Sequence, residues 1–182
     1  MLNRQISRRQ VAQGAARAGL GLAVAALLPA WAKDRSADLP MVGSVLRLPD
    51  LELLDGRDGK ALELNGNALV VYWWASWCPF CALQSPHIEA LWKTQQAQQG
   101  KRLSVLSLSI DEKPAAAINY MKAKNYSFPA GMLTPQVAKS LPKPAGLPVV
   151  VVLKVKGREG SVVFAEAGEM FPEDIEGLKK YI

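Results

Sequence analysis

Three stretches of the chain are apolar without interruption or strict alternation, and their spacing sets the expected architecture. Residues 68–74 form a continuous run rich in β-branched and aromatic side chains, the pattern of a strand covered on both faces. Residues 103–110 and 149–153 give two more buried strands. Between the first two, Leu83, Ile88, Leu91 and Trp92 supply an apolar face to a helix that opens at Cys78–Cys81, reaches about Gln98 and ends at Gly100. Pro86 lies inside it and is expected to kink it, because proline removes one helical hydrogen bond and crowds the preceding turn. A second helix is predicted over 114–124 with Ile118 and Met121 inward, and a short one over 135–140. Residues 162–165 pair with the third strand across a turn containing Gly157 and Gly160. The last helix, 172–181, has Pro172 at its start and Lys179 and Lys180 at its end, as the helix dipole prefers. Upstream, residues 46–48, 51–53 and 61–64 alternate around turn signals at 55–60 and predict an N-terminal hairpin. The order predicts an α/β fold, a central mixed β-sheet flanked by helices with an N-terminal β-hairpin extension.

Composition changes this picture at one end only. The 182 residues carry a net charge of +6. Arg4, Arg8, Arg9 and Arg17 fall in the first 32 residues, which contain no acid, and without them 18 basic residues face 16 acidic ones. The body is therefore nearly balanced, and nucleic acid is not expected as a partner. Residues 1–32 read as an export signal, with a basic start, an apolar run over 18–32 and small residues, Ala30 and Ala32, before a cleavage expected after Ala32. Ser7-Arg8-Arg9 resembles a twin-arginine export motif, although Val11, Ala12 and Gln13 depart from it. The run falls short of the roughly 20 residues that span a bilayer, so retention as a membrane anchor is the second reading. Residues 33–45 read as a polar linker and 46–182 as the domain, placed in a bacterial periplasm.

Cys78 and Cys81 are the two cysteines of the chain. They sit where the first central strand becomes a helix, and placement matters more than spacing. A helix start presents unpaired N–H groups and partial positive charge, which favour a thiolate at Cys78. Cys81, one helical turn on, can close a disulfide and release whatever Cys78 has captured. A structural zinc site wants four ligands, and the chain adds only His87, so no metal or other cofactor is expected. Ala82 stands where haem attachment would need histidine. Asp111-Glu112-Lys113-Pro114 reads as a solvated loop and helix start.

Val71-Tyr72-Trp73-Trp74-Ala75-Ser76-Trp77-Cys78-Pro79-Phe80-Cys81, together with Pro86, residues 106–111 and Gly146-Leu147-Pro148, resembles the thioredoxin superfamily and within it the exported TlpA-like thiol-disulfide oxidoreductases. The resemblance implies that Cys78 and Cys81 are the redox pair and that Pro148 is cis and faces it. It also implies that the backbone of Leu147 pairs with an incoming peptide, with Trp77, Pro79 and Phe80 shaping the surface that receives it. Protein disulfides or dithiols would be the substrates of a monomer, and a membrane redox partner would recharge the pair. Reduction of exported proteins ranks first, oxidation or isomerisation second, and a copper-handling binding module of the same fold third. Three positions depart from the pattern. Thioredoxin's buried acid is replaced by Tyr72 and its lysine partner by Ser107, and the glutamate often found three residues after the second cysteine is Gln84. Gln84 can hydrogen-bond but cannot act as a base near neutral pH.

Overall fold

The computed structural model describes residues 39–59, 68–98, 100 and 102–182. The export signal, most of the linker and the second arm of the expected hairpin, residues 61–64, lie outside them. No helix among the described residues is long and apolar enough to cross a membrane.

Six strands form one mixed sheet in the order β1-β6-β5-β2-β3-β4. The centre is β2 (Ala68–Trp74), parallel to β3 (Leu103–Ser109) on one side and antiparallel to β5 (Val149–Lys156) on the other. All seven residues of β2 and all seven of β3 are buried, which is why neither segment alternates. β6 (Glu159–Ala167) returns antiparallel to β5 through a tight turn in which Gly157 takes φ +60°, a conformation that favours glycine. Gly160 is not in that turn but inside β6, against the side chain of Leu153. β4 (Ala130–Met132) adds to the outer edge of β3.

The N-terminal segment differs from a simple hairpin. β1 (Val45–Arg47) pairs with β6 rather than with residues 51–53, and Gly43 and Ser44 already exchange backbone hydrogen bonds with Val162. Residues 51–58 instead fold back locally, with one bridge between Glu52 and Asp58, and Leu53 meets Gly131 of β4. β1 and β4 thus lie at the two edges of the sheet.

The two faces of the sheet carry two cores. Val70, Tyr72 and Trp74 of β2 pack with Ile88 and Leu91 of α1 (Pro79–Gln96), Ala117 of α2 (Pro114–Lys124) and Ile175 of α4 (Pro172–Glu176), and both cysteines belong to this side. Leu69, Val71 and Trp73 pack on the other side with Leu48, Leu53, Leu141 and Val137 of α3 (Pro135–Ala138). After α4 the chain tightens into a 3-10 helix, Gly177–Tyr181, where one continuous helix was expected.

The buried face of α1 is more polar than its hydrophobic pattern suggests. Leu83 points outward, while Gln84, Ser85, Glu89 and Gln95 are buried. Each of the three longer polar side chains clamps backbone from another segment. Gln84 Oε1 accepts from the Met170 N–H at 2.7 Å, Gln95 Oε1 accepts from Leu103 N–H at 2.9 Å, and Glu89 takes the N–H groups of Ser127 and Phe128 at 2.9 and 3.0 Å. Together these bonds fix α1 over the sheet, and with it the cysteine pair at its start.

Candidate active site

β2 ends at Trp74, and four residues later Cys78 caps the N-terminus of α1 in an extended conformation. Its Sγ accepts the N–H of Cys81 at 3.2 Å, so a sulfur occupies the place usually taken by a capping oxygen. Pro79 at the first helical position has no N–H to satisfy, and no acidic residue lies in the first turn to compete for the helix's positive end. The two sulfurs are joined in a disulfide, with the Cα atoms 5.2 Å apart. Cys78 is 5% exposed and Cys81 1%, so both are buried, and Cys78, flanked by the exposed Trp77 and Pro79, is the less covered of the two.

The loop that delivers Cys78 is pinned by Asp111. This carboxylate, buried at the end of β3, accepts the Ser76 N–H at 3.1 Å and the hydroxyls of Ser76 and Ser109 at 2.7 Å each. The expected solvated loop is therefore corrected at its first residue. The parallel register explains why: Trp74 lies opposite Ser109, so residues just beyond the two strand ends emerge together. Serine on both segments and an acid two residues past the strand were the available sequence signal. Asp111→Ala leaves the Ser76 N–H and two hydroxyls without their acceptor, and a stability loss of about 1.5–3 kcal/mol is expected in urea unfolding, with slower Cys78 alkylation. Asp111→Asn, which retains an acceptor, should lose less.

Tyr72 and Ser107 are register partners, both fully buried, so a phenol and a hydroxyl stand where the thioredoxin pattern has an acid and a lysine. The Ser85 hydroxyl donates to the Cys81 carbonyl at 2.7 Å, and the Tyr72 hydroxyl, 3.0 Å from Ser85 Oγ and 3.3 Å from the same carbonyl, divides its one proton between those two acceptors. Burial pushes the Tyr72 phenol well above its ordinary range despite the Ser85 bond, so it stays neutral. Ser107 Oγ has no hydrogen-bond partner among the described residues.

The remaining expected site residues fall around the cysteines. Trp77 and Phe80 are 65% and 55% exposed, and Pro79 is exposed between them. The Leu147–Pro148 peptide bond is cis, as the resemblance implied. Pro148 immediately precedes Val149, which lies opposite Trp73, so the cis bond and the cysteine loop occupy the same end of the sheet. Leu147 is half-buried, between the two cores. Among the described residues no group of three or more His, Cys, Asp or Glu side chains is placed to hold a metal ion.

Residues 46–135 match the AhpC/TSA family. The thioredoxin-like protein slr1139 of Synechocystis is 38% identical over 66 residues, 36% of this chain and 57% of that protein, so the chain spans a little over half of this relative's length. Thiol-disulfide oxidoreductase ResA of Bacillus subtilis is 23% identical over 131 residues, 70% of this chain and 72% of that protein. A thiol:disulfide interchange protein of Chlorobium tepidum TLS superposes with a TM-score of 0.66 at 21% identity, covering 78% of this chain and 97% of its own. The chain thus has the fold of this thiol:disulfide interchange protein, and its sequence is similar to that of named thiol-disulfide oxidoreductases. A second solved structure, StoA of Bacillus subtilis, has the same fold at 18% identity, with a TM-score of 0.59 over 78% of this chain and 98% of its own. Against the thioredoxin pattern that the sequence resembles, the CxxC spacing, the helix start and the cis-proline are present. The buried charges of that pattern are not, and the neutral Gln84 stands three residues after the second cysteine.

Proposed function

We propose that this chain is exported to a bacterial periplasm and there reduces disulfides of protein substrates through Cys78 and Cys81. The observation that carries the reading is the sulfur of Cys78 at the N-cap of α1, accepting the Cys81 N–H with no acid in the first turn. In the reduced protein that setting stabilises a thiolate, the form that attacks a disulfide. The Cys78 thiolate attacks one substrate sulfur, the other substrate sulfur leaves as a thiolate, and a mixed disulfide forms. Cys81 then gives up its proton to solvent, its sulfur bonds to Cys78, and the substrate's second thiolate departs. Two electrons have moved to the substrate, and a dithiol partner at the membrane restores the pair by the reverse exchange.

Trp77, Pro79 and Phe80 form the rim that meets the substrate, and the backbone of Leu147 beside Pro148 offers it a strand-like edge. The basic, then apolar, first 32 residues support export. One observation favours the oxidising direction as a second reading: whatever stabilises the Cys78 thiolate also stabilises the reduced pair and raises its potential. Titrating the protein against glutathione, with alkylation to count free thiols, separates the two. A reductase is expected to stay oxidised until the mixture is strongly reducing. A pair already reduced in a mildly reducing mixture identifies an oxidant. One tightly held metal ion per chain without insulin-disulfide reduction would replace both with a metal-handling module.

A further inference from the structure

Gln84 lies three residues after Cys81 on the same buried face of α1. It is fully buried, and its two amide atoms are used unequally. Oε1 accepts the Met170 N–H at 2.7 Å, while Nε2 has no hydrogen-bond partner among the described residues of the disulfide-bonded protein. A buried N–H donor without an acceptor is costly, so its retention calls for a partner in some other state of the molecule. Long side chains on a helix lean back over the turn N-terminal to their own Cα, and that turn carries Cys81. Opening the disulfide gives Cys81 a free sulfur that can accept a hydrogen bond. From this we infer that Gln84 is a positioning residue whose Nε2–H donates to the Cys81 sulfur once the pair is reduced or Cys78 is bound to substrate. The inference rests on the thiol-disulfide reading above and adds how the second half of the exchange proceeds without a base.

The surroundings of Cys81 make such a donor consequential. The hydrophobic cluster that encloses it has Cys78, Tyr72 and the half-buried Tyr120, Tyr126 and Tyr181 as its titratable members, and the buried polar side chains Ser85 and Ser107 beside it carry no charge. The buried carboxylates among the described residues are committed elsewhere: Glu89, two turns further along α1, to Ser127, Phe128 and Lys93, and Asp111 to Ser76 and Ser109. Tyr72 and Ser85 already direct their hydroxyls to the Cys81 carbonyl. In the release step the Cys81 proton passes to solvent, the sulfur carries the negative charge that Nε2–H stabilises, a bond forms to Cys78, and the substrate thiolate leaves with the electron pair of the broken bond. The donor thus supplies electrostatic help to the resolving thiolate, where an ionised glutamate would instead act by taking its proton.

The test uses the full chain and no substrate, so it is independent of whether proteins are trapped on Cys78. NMR of 15N- and Cys-13Cβ-labelled protein follows the Gln84 side-chain amide and the Cys81 Cβ during reduction and pH titration. One Nε2 proton is expected to move downfield on reduction and to move further with the same midpoint as Cys81. Gln84→Glu keeps an acceptor for Met170 and Gln84→Leu does not, but both remove the donor. Both are expected to raise the proton affinity of Cys81 at least about tenfold, the size of one hydrogen bond to a charged group. Unchanged Gln84 amide signals between the two redox states would overturn the inference in the wild-type protein alone. A Cys81 midpoint raised by glutamate but unmoved by leucine would also overturn it, by leaving charge as the whole effect.

Discussion

Cys78→Ser is expected to lower disulfide exchange by roughly three orders of magnitude or more, to the uncatalysed background, while leaving the fold intact. A serine hydroxyl needs an adjacent base to become a nucleophile, and the single histidine, His87, lies nine residues further along the α1 sequence, about half a turn away around a regular helix. Oxygen at the N-cap would still accept the Cys81 N–H, so the helix start survives the change. Little stability is at stake in the lost disulfide, because the loop it closes spans only three residues. Cys81→Ser should behave differently: the first attack proceeds, release does not, and mixed disulfides accumulate on Cys78. Insulin-disulfide turnover together with non-reducing mass spectrometry separates the two phenotypes. Equal loss in both variants with no mixed disulfide in either would remove the division of labour between the sulfurs.

The second large effect is on stability and falls two turns along α1 from the second sulfur. Glu89→Ala is expected to cost about 3 kcal/mol in urea unfolding at neutral pH. The carboxylate is buried on α1 and receives the Ser127 N–H at 2.9 Å, the Ser127 hydroxyl at 2.6 Å, the Phe128 N–H at 3.0 Å and Lys93 Nζ at 3.0 Å. Removing it leaves these donors without their acceptor and detaches the approach to β4 from the helix that carries the site. Burial alone would push the Glu89 carboxyl upward, but the hydrogen bonds from Ser127, Lys93 and Phe128 outweigh it and hold it below its ordinary value of 4.5. A depressed carboxyl binds its proton more weakly in the folded than in the unfolded chain. Its contribution is therefore complete above 4.5 and fades as pH falls through the lower, folded value. The gap in unfolding free energy between wild type and Glu89→Ala should narrow on acidification within that range. A gap that stays constant there would mean that the ionised form is not what the clamp uses.

The sheet was readable from the chain because its central strands are buried on both faces and announce themselves as unbroken apolar runs. The helix α2 was readable from Pro114 and from the spacing of its small and apolar residues. β4 was not: three residues that include Gly131, at a sheet edge, carry no periodicity to detect. The inward face of α1 escaped a hydrophobic reading for a different reason. Residues 81, 84, 85, 88 and 95 follow helical spacing, but glutamine and serine occupy half-cryptic positions there, while Leu83 faces outward beside the exposed Phe80. Polar side chains that clamp backbone are invisible to a pattern that counts only apolar ones. Asp111 escaped likewise, since the serines and the acid point to one another only once the register that brings the two parallel strand ends together is known. The cysteine pair needed no such help, because strand, turn and helix start were all legible around it.

The central claim is that the fold makes an anion of one sulfur and holds the other in reserve. Its most direct measurement is the pH dependence of iodoacetamide alkylation in the reduced protein, with Cys78 and Cys81 resolved by peptide mass spectrometry. Cys78 should react at mildly acidic pH, at least about tenfold faster than Cys81. If Cys78 reacts no faster than Cys81 from mildly acidic to neutral pH, the helix start does not activate it and the proposed exchange has no nucleophile.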